Sequence, residues 1–176
     1  MPTDNLGGIV RLIRGEPNAD ATLAKMRHIV TQEYQSSSVV DTAVQIAVTV
    51  REKDDAAQAR ALLTWLRRNT RFVADPVNQQ RITTPLVMLA QIHARGVTGG
   101  DCVDIAMLSA CLALAIGLEC RFVAEGYEGS EMHADLTHVY TIVQTGADSW
   151  VNLDTQRTPL EPDTHPVRRE IVDVLD

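Results

Sequence analysis

Apolar residues in this chain recur mostly at helical spacing up to residue 116 and at strand spacing after it. Between Asn18 and Gln35, Leu23, Met26, Ile29 and Val30 recur at intervals of three and four, which predicts a helix. Ser36-Ser37-Ser38 interrupts the pattern, and Ser38 with Asp41 reads as an N-cap pair. Val39 to Val50 fits two periods. Val44, Ile46, Val48 and Val50 alternate as in a strand, whereas Val40, Ala43, Ile46, Ala47 and Val50 share a helical face, and the cap pair favours the helix. Asp54-Asp55 opens a clearer helix to Asn69, with a stripe of Ala59, Leu62, Leu63 and Leu66. Arg67 and Arg68 in its last turn complement the helix dipole. A short strand, Thr70 to Ala74, ends at Asp75-Pro76, and Val77 to Thr84 reads as loop. Thr84-Pro85 supplies the N-cap and first position of a helix to about Ala94.

Arg95 to Gly100 is glycine-rich loop. Asp101 follows as an N-cap with Asp104 in the first turn. The helix it opens, Cys102 to Ile116, is apolar on all sides and therefore buried, with Gly117 at the expected C′ position. Strands are predicted at Glu119 to Glu125 and Leu136 to Gln144. After a turn at Thr145-Gly146-Ala147-Asp148, a third runs from Ser149 to Leu153. Gly126 to Ala134 is a polar connection. Thr155 to Pro166 reads as surface loop, and Val167 to Leu175 as a terminal helix or extended tail. No internal repeat stands out.

Length narrows the picture: 176 residues predict a single domain spanning 1–176. Its parts are a helical extension (1–54), a core (55–155) and a tail (156–176). Hydrophobic residues at 45% and charged residues at 22% are ordinary for a globular chain, and aromatics at 4% make the core aliphatic. Sixteen basic against 23 acidic residues give a net charge of −7 and a pI near 5.2, far from the basic footprint of a nucleic-acid binder. The longest apolar stretch, Ile105 to Ile116, is well short of the roughly 20 residues that span a bilayer, and no signal-peptide pattern opens the chain. A cytoplasmic protein is expected, with no nucleic-acid or membrane partner. Three cysteines, an odd number, argue against a disulfide framework.

Those cysteines differ by position. Cys102 opens the buried helix after a Gly-Gly-Asp loop, where free N–H groups and the helix dipole favour a thiolate. The same amides can donate to an oxyanion beside the sulfur. Cys111, two and a half turns on, faces away from Cys102, and Cys120 lies in an apolar strand; both read as core. CxxC and HxxxH spacings are absent, so no metal and no cofactor is expected. A thiolate nucleophile needs a base, and the base an orienting partner. His138 sits in a predicted strand, and hairpin pairing about the turn would return Asp154 to its start. A carboxylate there can fix the imidazole tautomer. His28, His93, His133 and His165 have no comparable partner.

Gly100-Asp101-Cys102-Val103-Asp104, the apolar helix, Gly117-Leu118, Thr137-His138-Val139-Tyr140 and Trp150-Val151-Asn152-Leu153-Asp154 resemble the transglutaminase-like superfamily core. Upstream, Trp65 to Pro76 and Thr84-Pro85 resemble bacterial and phage-encoded members, and the likeness runs from about Ala56 to Thr155. It implies an α+β, papain-like fold, with N-terminal helices and a buried central helix packed on a small antiparallel sheet. It also implies a Cys-His-Asp triad: Cys102 as nucleophile, His138 as general base then acid, Asp154 as orienter. Three departures stand out. Val103 occupies a position often acidic in bacterial members, Thr155-Gln156 replaces the frequent Pro-Thr, and the one upstream indole, Trp65, lies in a predicted helix. Gln79, Gln80 or Asn78 is then the candidate for a second oxyanion donor.

The expected activity is cysteine-dependent acyl transfer on a peptide or protein amide, by a peptidase or amidase acting through a thioester. Protein crosslinking and a non-catalytic binding or assembly module, of the phage-encoded kind, are the alternatives. Substrate identity and oligomeric state are not legible from the sequence.

Overall fold

The computed structural model describes residues 11–13, 19–76, 80–127, 137–156 and 166–175. In chain order these form β1 (Arg11–Ile13), α1 (Ala19–Glu33), α2 (Ser37–Ala47), α3 (Asp55–Asn69) and β2 (Thr70–Phe72). There follow β3 (Gln80–Ile82), α4 (Pro85–Arg95), β4 (Thr98–Gly100) and α5 (Cys102–Ala115). The last four elements are β5 (Cys120–Gly126), β6 (His138–Gly146), β7 (Ser149–Asn152) and β8 (Arg168–Asp173).

Local chemistry sets the helix limits. The Asp54 side chain accepts from the Ala57 N–H at 2.8 Å and starts α3. Pro85 occupies the first turn of α4, and Gly96, with φ of 78°, ends it in the left-handed conformation that glycine adopts without a steric cost. The apolar α5 lies at the centre, and α1, α2, α3 and α4 pack on it from one side. Met26 and Val30 from α1, Val39 and Ala43 from α2, Leu62 and Leu66 from α3 and Met88 from α4 join Leu108 and Leu112 in one core. The opposite side of α5 rests on β5 and β6.

Those two strands are the middle of a four-stranded sheet ordered β7-β6-β5-β8, antiparallel throughout. Period-2 alternation turns Cys120, Phe122, Ala124, Val139 and Val143 into the core. Two smaller pairs complete the described structure: β1 with β3, antiparallel, and β2 with β4, parallel. The fold is α+β, with the transglutaminase-like arrangement of a buried helix on an antiparallel sheet. No helix among the described residues is long and apolar enough to cross a membrane.

Three local expectations are corrected, and one left open between two forms is decided. Helix α2 forms as read, but its N-cap is Ser36, whose side chain makes no cap hydrogen bond, and not Ser38. The stretches read as loop at Val77 to Thr84 and Arg95 to Gly100 contain β3 and β4; three-residue strands are too short to show a period. The tail expected as helix or extended chain is strand β8, whose regularity comes from its ladder with β5.

Candidate active site

Cys102 is the first residue of α5, and the chain reaches it through a tight approach. A Cβ at Gly100 would lie 2.8 Å from the Asp104 Cβ and 3.1 Å from the Met88 Cε, so only glycine fits there. A capping box then closes the helix start. The Asp104 N–H donates to Asp101 Oδ1 at 3.0 Å, and the Asp101 N–H donates to Asp104 Oδ2 at 3.3 Å. Asp104 Oδ1 also accepts from the Thr83 N–H at 2.7 Å, tying the loop before α4 to this helix end. The neighbouring Asp104 and Val103 amides pull the Asp101 carboxyl downward against its burial. The Cys102 N–H, at the first position of α5, has no partner within the helix. Burial, reinforced by the Asp101 charge, raises Asp104 to about 7 against the pull of its two amide donors. Burial raises Asp101 as well.

The hairpin of β6 and β7 brings the other two groups to this point. Ile142 pairs with Asn152, and the Leu153 N–H donates to the Thr141 carbonyl at 2.9 Å, so the chain leaves β7 alongside the start of β6. There His138 Nε2 lies 2.7 Å from Asp154 Oδ2. Asp154 is almost fully buried and held from several directions. Its Oδ1 accepts from the Gln156 N–H at 2.9 Å, and its own N–H donates to Asn152 Oδ1 at 2.6 Å. The Arg67 guanidinium reaches its carbonyl oxygen at 3.4 Å. Burial lowers the His138 pKa, but hydrogen bonds to Asp154 and Cys102, with the charges of both groups, outweigh it and raise His138 to about 9. With Nε2 committed to Asp154, Nδ1 is the nitrogen available to the thiol. A small cleft between α5 and the end of the hairpin is lined by Cys102, Ala106, Val139, Leu153, Asp154 and Gln156.

A profile of the transglutaminase-like superfamily matches residues 42–155, more than half of the chain. The chain belongs to the transglutaminase-like superfamily. No curated protein and no solved structure gives a significant match. The matched region begins within α2 and ends one residue past Asp154, so it contains Cys102, His138 and Asp154.

The remaining candidates of this transglutaminase-like protein separate by burial and position. Cys111 is fully buried with its Sγ 4.0 Å from the Val30 carbonyl, and burial pushes its thiol well above the ordinary range. Cys120 is pushed up to about 12 by burial. Trp65 stands half-buried on α3, packed against the core. His28 and His93 are exposed. Of the suggested amide donors, Asn78 and Gln79 lie outside the described residues. Gln80 is in β3, and its side chain is likewise not described. His133 and His165 also fall outside.

Sequence reasoning missed one buried group beside His138. Glu125 is 0% exposed, and its carboxylate accepts from Tyr140 Oη at 2.9 Å, Arg169 Nε at 2.8 Å and Tyr127 Oη. A signal existed: Glu125 and Tyr127 are two residues apart, the spacing that puts strand neighbours on one face.

Proposed function

We propose that this transglutaminase-like protein is a cysteine-dependent acyl-transfer enzyme, a peptidase or amidase acting on peptide or protein amides. The observation that carries this reading is the 2.7 Å contact between His138 Nε2 and Asp154 Oδ2 beside a cysteine at the head of a buried helix. His138, with its pKa raised to about 9, carries a proton near neutral pH and gives a Cys102 thiolate its counter-ion. The sulfur attacks the amide carbonyl carbon, and the carbonyl electron pair moves onto oxygen. The Cys102 N–H, free of any intrahelical partner, stands ready to donate to that oxyanion. The tetrahedral adduct collapses as the C–N bond breaks, and the imidazolium gives its proton to the leaving amine. His138, now neutral, takes a proton from water as the hydroxyl oxygen attacks the thioester, and the thiolate leaves. Asp154 holds the ring in one tautomer and stabilises its charge throughout.

Incubating the protein with a peptide library, with and without added primary amines, tests the reading. Amine release that needs Cys102 supports hydrolysis, whereas preferential incorporation of the added amine supports crosslinking. Cys102→Ala is expected to abolish labelling by a thiol-directed electrophile, and Cys111→Ala to leave it unchanged. Equal labelling of both variants, with no amine released, sinks the enzyme reading in favour of a binding module.

A further inference from the structure

His138, Glu125 and Arg169 form one row across three strands: Glu125 on β5 is the register partner of His138 on β6 and of Arg169 on β8. The middle member is a fully buried carboxylate, which costs far more than it returns unless it is paired and hydrogen-bonded. It is. Arg169 approaches at 2.7 Å as an ion pair, and both tyrosine hydroxyls donate to it. One of those tyrosines, Tyr140, stands two residues along β6 from His138, on the same side of the strand. Its ring centroid lies 5.7 Å from the imidazole centroid, with the planes tilted by 32°. The backbone adds a second tie, since the Thr137 N–H donates to the Glu125 carbonyl at 2.8 Å.

Resting on the triad reading above, we infer that Glu125 is a positioning residue for His138, acting as an acceptor that clamps the Tyr140 ring against the imidazole. Asp154 fixes the ring at one nitrogen but leaves rotation about that hydrogen bond. A ring packed from the side removes this freedom and keeps Nδ1 on Cys102. The titratable and charged groups around His138 are Asp154 after β7, Cys102 on α5, and Glu125 and Tyr127 on and after β5. Among the described residues, Tyr140 on its own strand, Arg169 from β8 and Arg67 from α3 complete the set. Asp154 and Cys102 raise His138, and neither Glu125 nor Arg169 is among the causes of its shift. Glu125 therefore acts through geometry: if the imidazole turns away, the hydrogen bonds that hold its proton go, and burial alone remains to lower it.

Titrating His138 in the whole protein by NMR of its ring C–H signals separates the outcomes, with circular dichroism reporting the fold. The wild type is expected to titrate near 9, and Cys102→Ala to move it down. Glu125→Leu, which removes the shared acceptor, should lower the midpoint by a unit or more. Tyr140→Leu should do the same and carries the test alone if Glu125→Leu does not fold. Glu125→Gln should keep the wild-type midpoint, because its carbonyl still accepts from Tyr140 and Arg169. A folded Glu125→Leu or Tyr140→Leu variant titrating with the wild type overturns the inference, as does Glu125→Gln falling as far as Glu125→Leu. A wild-type midpoint near 6.5 that Cys102→Ala does not move overturns the Cys102–His138 pairing itself, a separate failure.

Discussion

The head and the interior of α5 hold the same residue type in opposite circumstances. At its head, Cys102 is half-buried, opens the helix beside two aspartates and lines a cleft with Asp154. Deeper along, Cys111 is sealed among aliphatic side chains and its thiol is held protonated by burial. Cys111 lies in an apolar run, whereas Cys102 stands between Asp101 and Asp104, whose carboxylates cap the helix start. Backbone separates them too: the first turn leaves N–H groups without intrahelical partners and the interior leaves none. A reactive site on this helix can exist only at its start, and the interior serves to hold that start still.

The sharpest way to break this division is at Asp154. Asp154→Ala should lower kcat for amide hydrolysis by about 100-fold or more, with little change in KM, in steady-state kinetics. At the other end, Leu112→Ala should leave kcat per folded molecule intact yet cost about 2–5 kcal/mol in denaturant unfolding, because a fully buried side chain leaves a cavity.

Two pH steps probe the head alone. Asp104 titrates near 7 when folded and near 3.8 as an isolated carboxyl, so the folded state holds its proton more tightly. Stability should therefore fall as pH rises from about 4 to about 7. His138 is raised from 6.5 to about 9, so the stabilisation from its pairing is complete below about 6.5 and lost as pH rises through about 9. Each step is worth roughly 2–4 kcal/mol and is readable as a descending melting temperature. Asp104→Asn should flatten the first, and His138→Gln the second. The smallest expected effect is on the cap: Asp101→Ala should cost about 1 kcal/mol in the same unfolding measurement. A cap loss as large as that of Leu112→Ala would overturn the division of labour along the helix.

Much of this was legible in the sequence where a local period or cap decided the outcome. Helices α3 and α5 carry their own N-caps and apolar patterns, and the β6–β7 hairpin follows from two alternating runs around a Gly-containing turn. That hairpin is what allowed Cys102, His138 and Asp154 to be named together; the structure puts His138 Nε2 at 2.7 Å from Asp154 Oδ2 and lines one cleft with Cys102 and Asp154. What was not legible depends on partners distant along the chain. Strand β8 alternates weakly because both its faces are partly exposed, and only its ladder with β5 makes it a strand. Glu125 reads as an ordinary strand-end acid until Tyr140 and Arg169, 15 and 44 residues further on, arrive as donors. The Ser38 cap failed for a smaller reason. Three consecutive serines offer three equivalent starts, and packing of α2 on α5 chose the first.

Strand β8 also has a consequence for biogenesis. A ribosome making this chain releases Cys102, His138 and Asp154 before it releases Arg169, so for a time the nascent protein holds Glu125 without its cation. A fragment cut at residue 155, where the superfamily match ends, would be arrested at that stage, with the candidate trio present and the outer edge of β5 bare. Strand β8 thus completes the sheet last among the described elements: β5 gains its outer neighbour, and the acid beside the histidine its cation, only after Cys102, His138 and Asp154 have all been made.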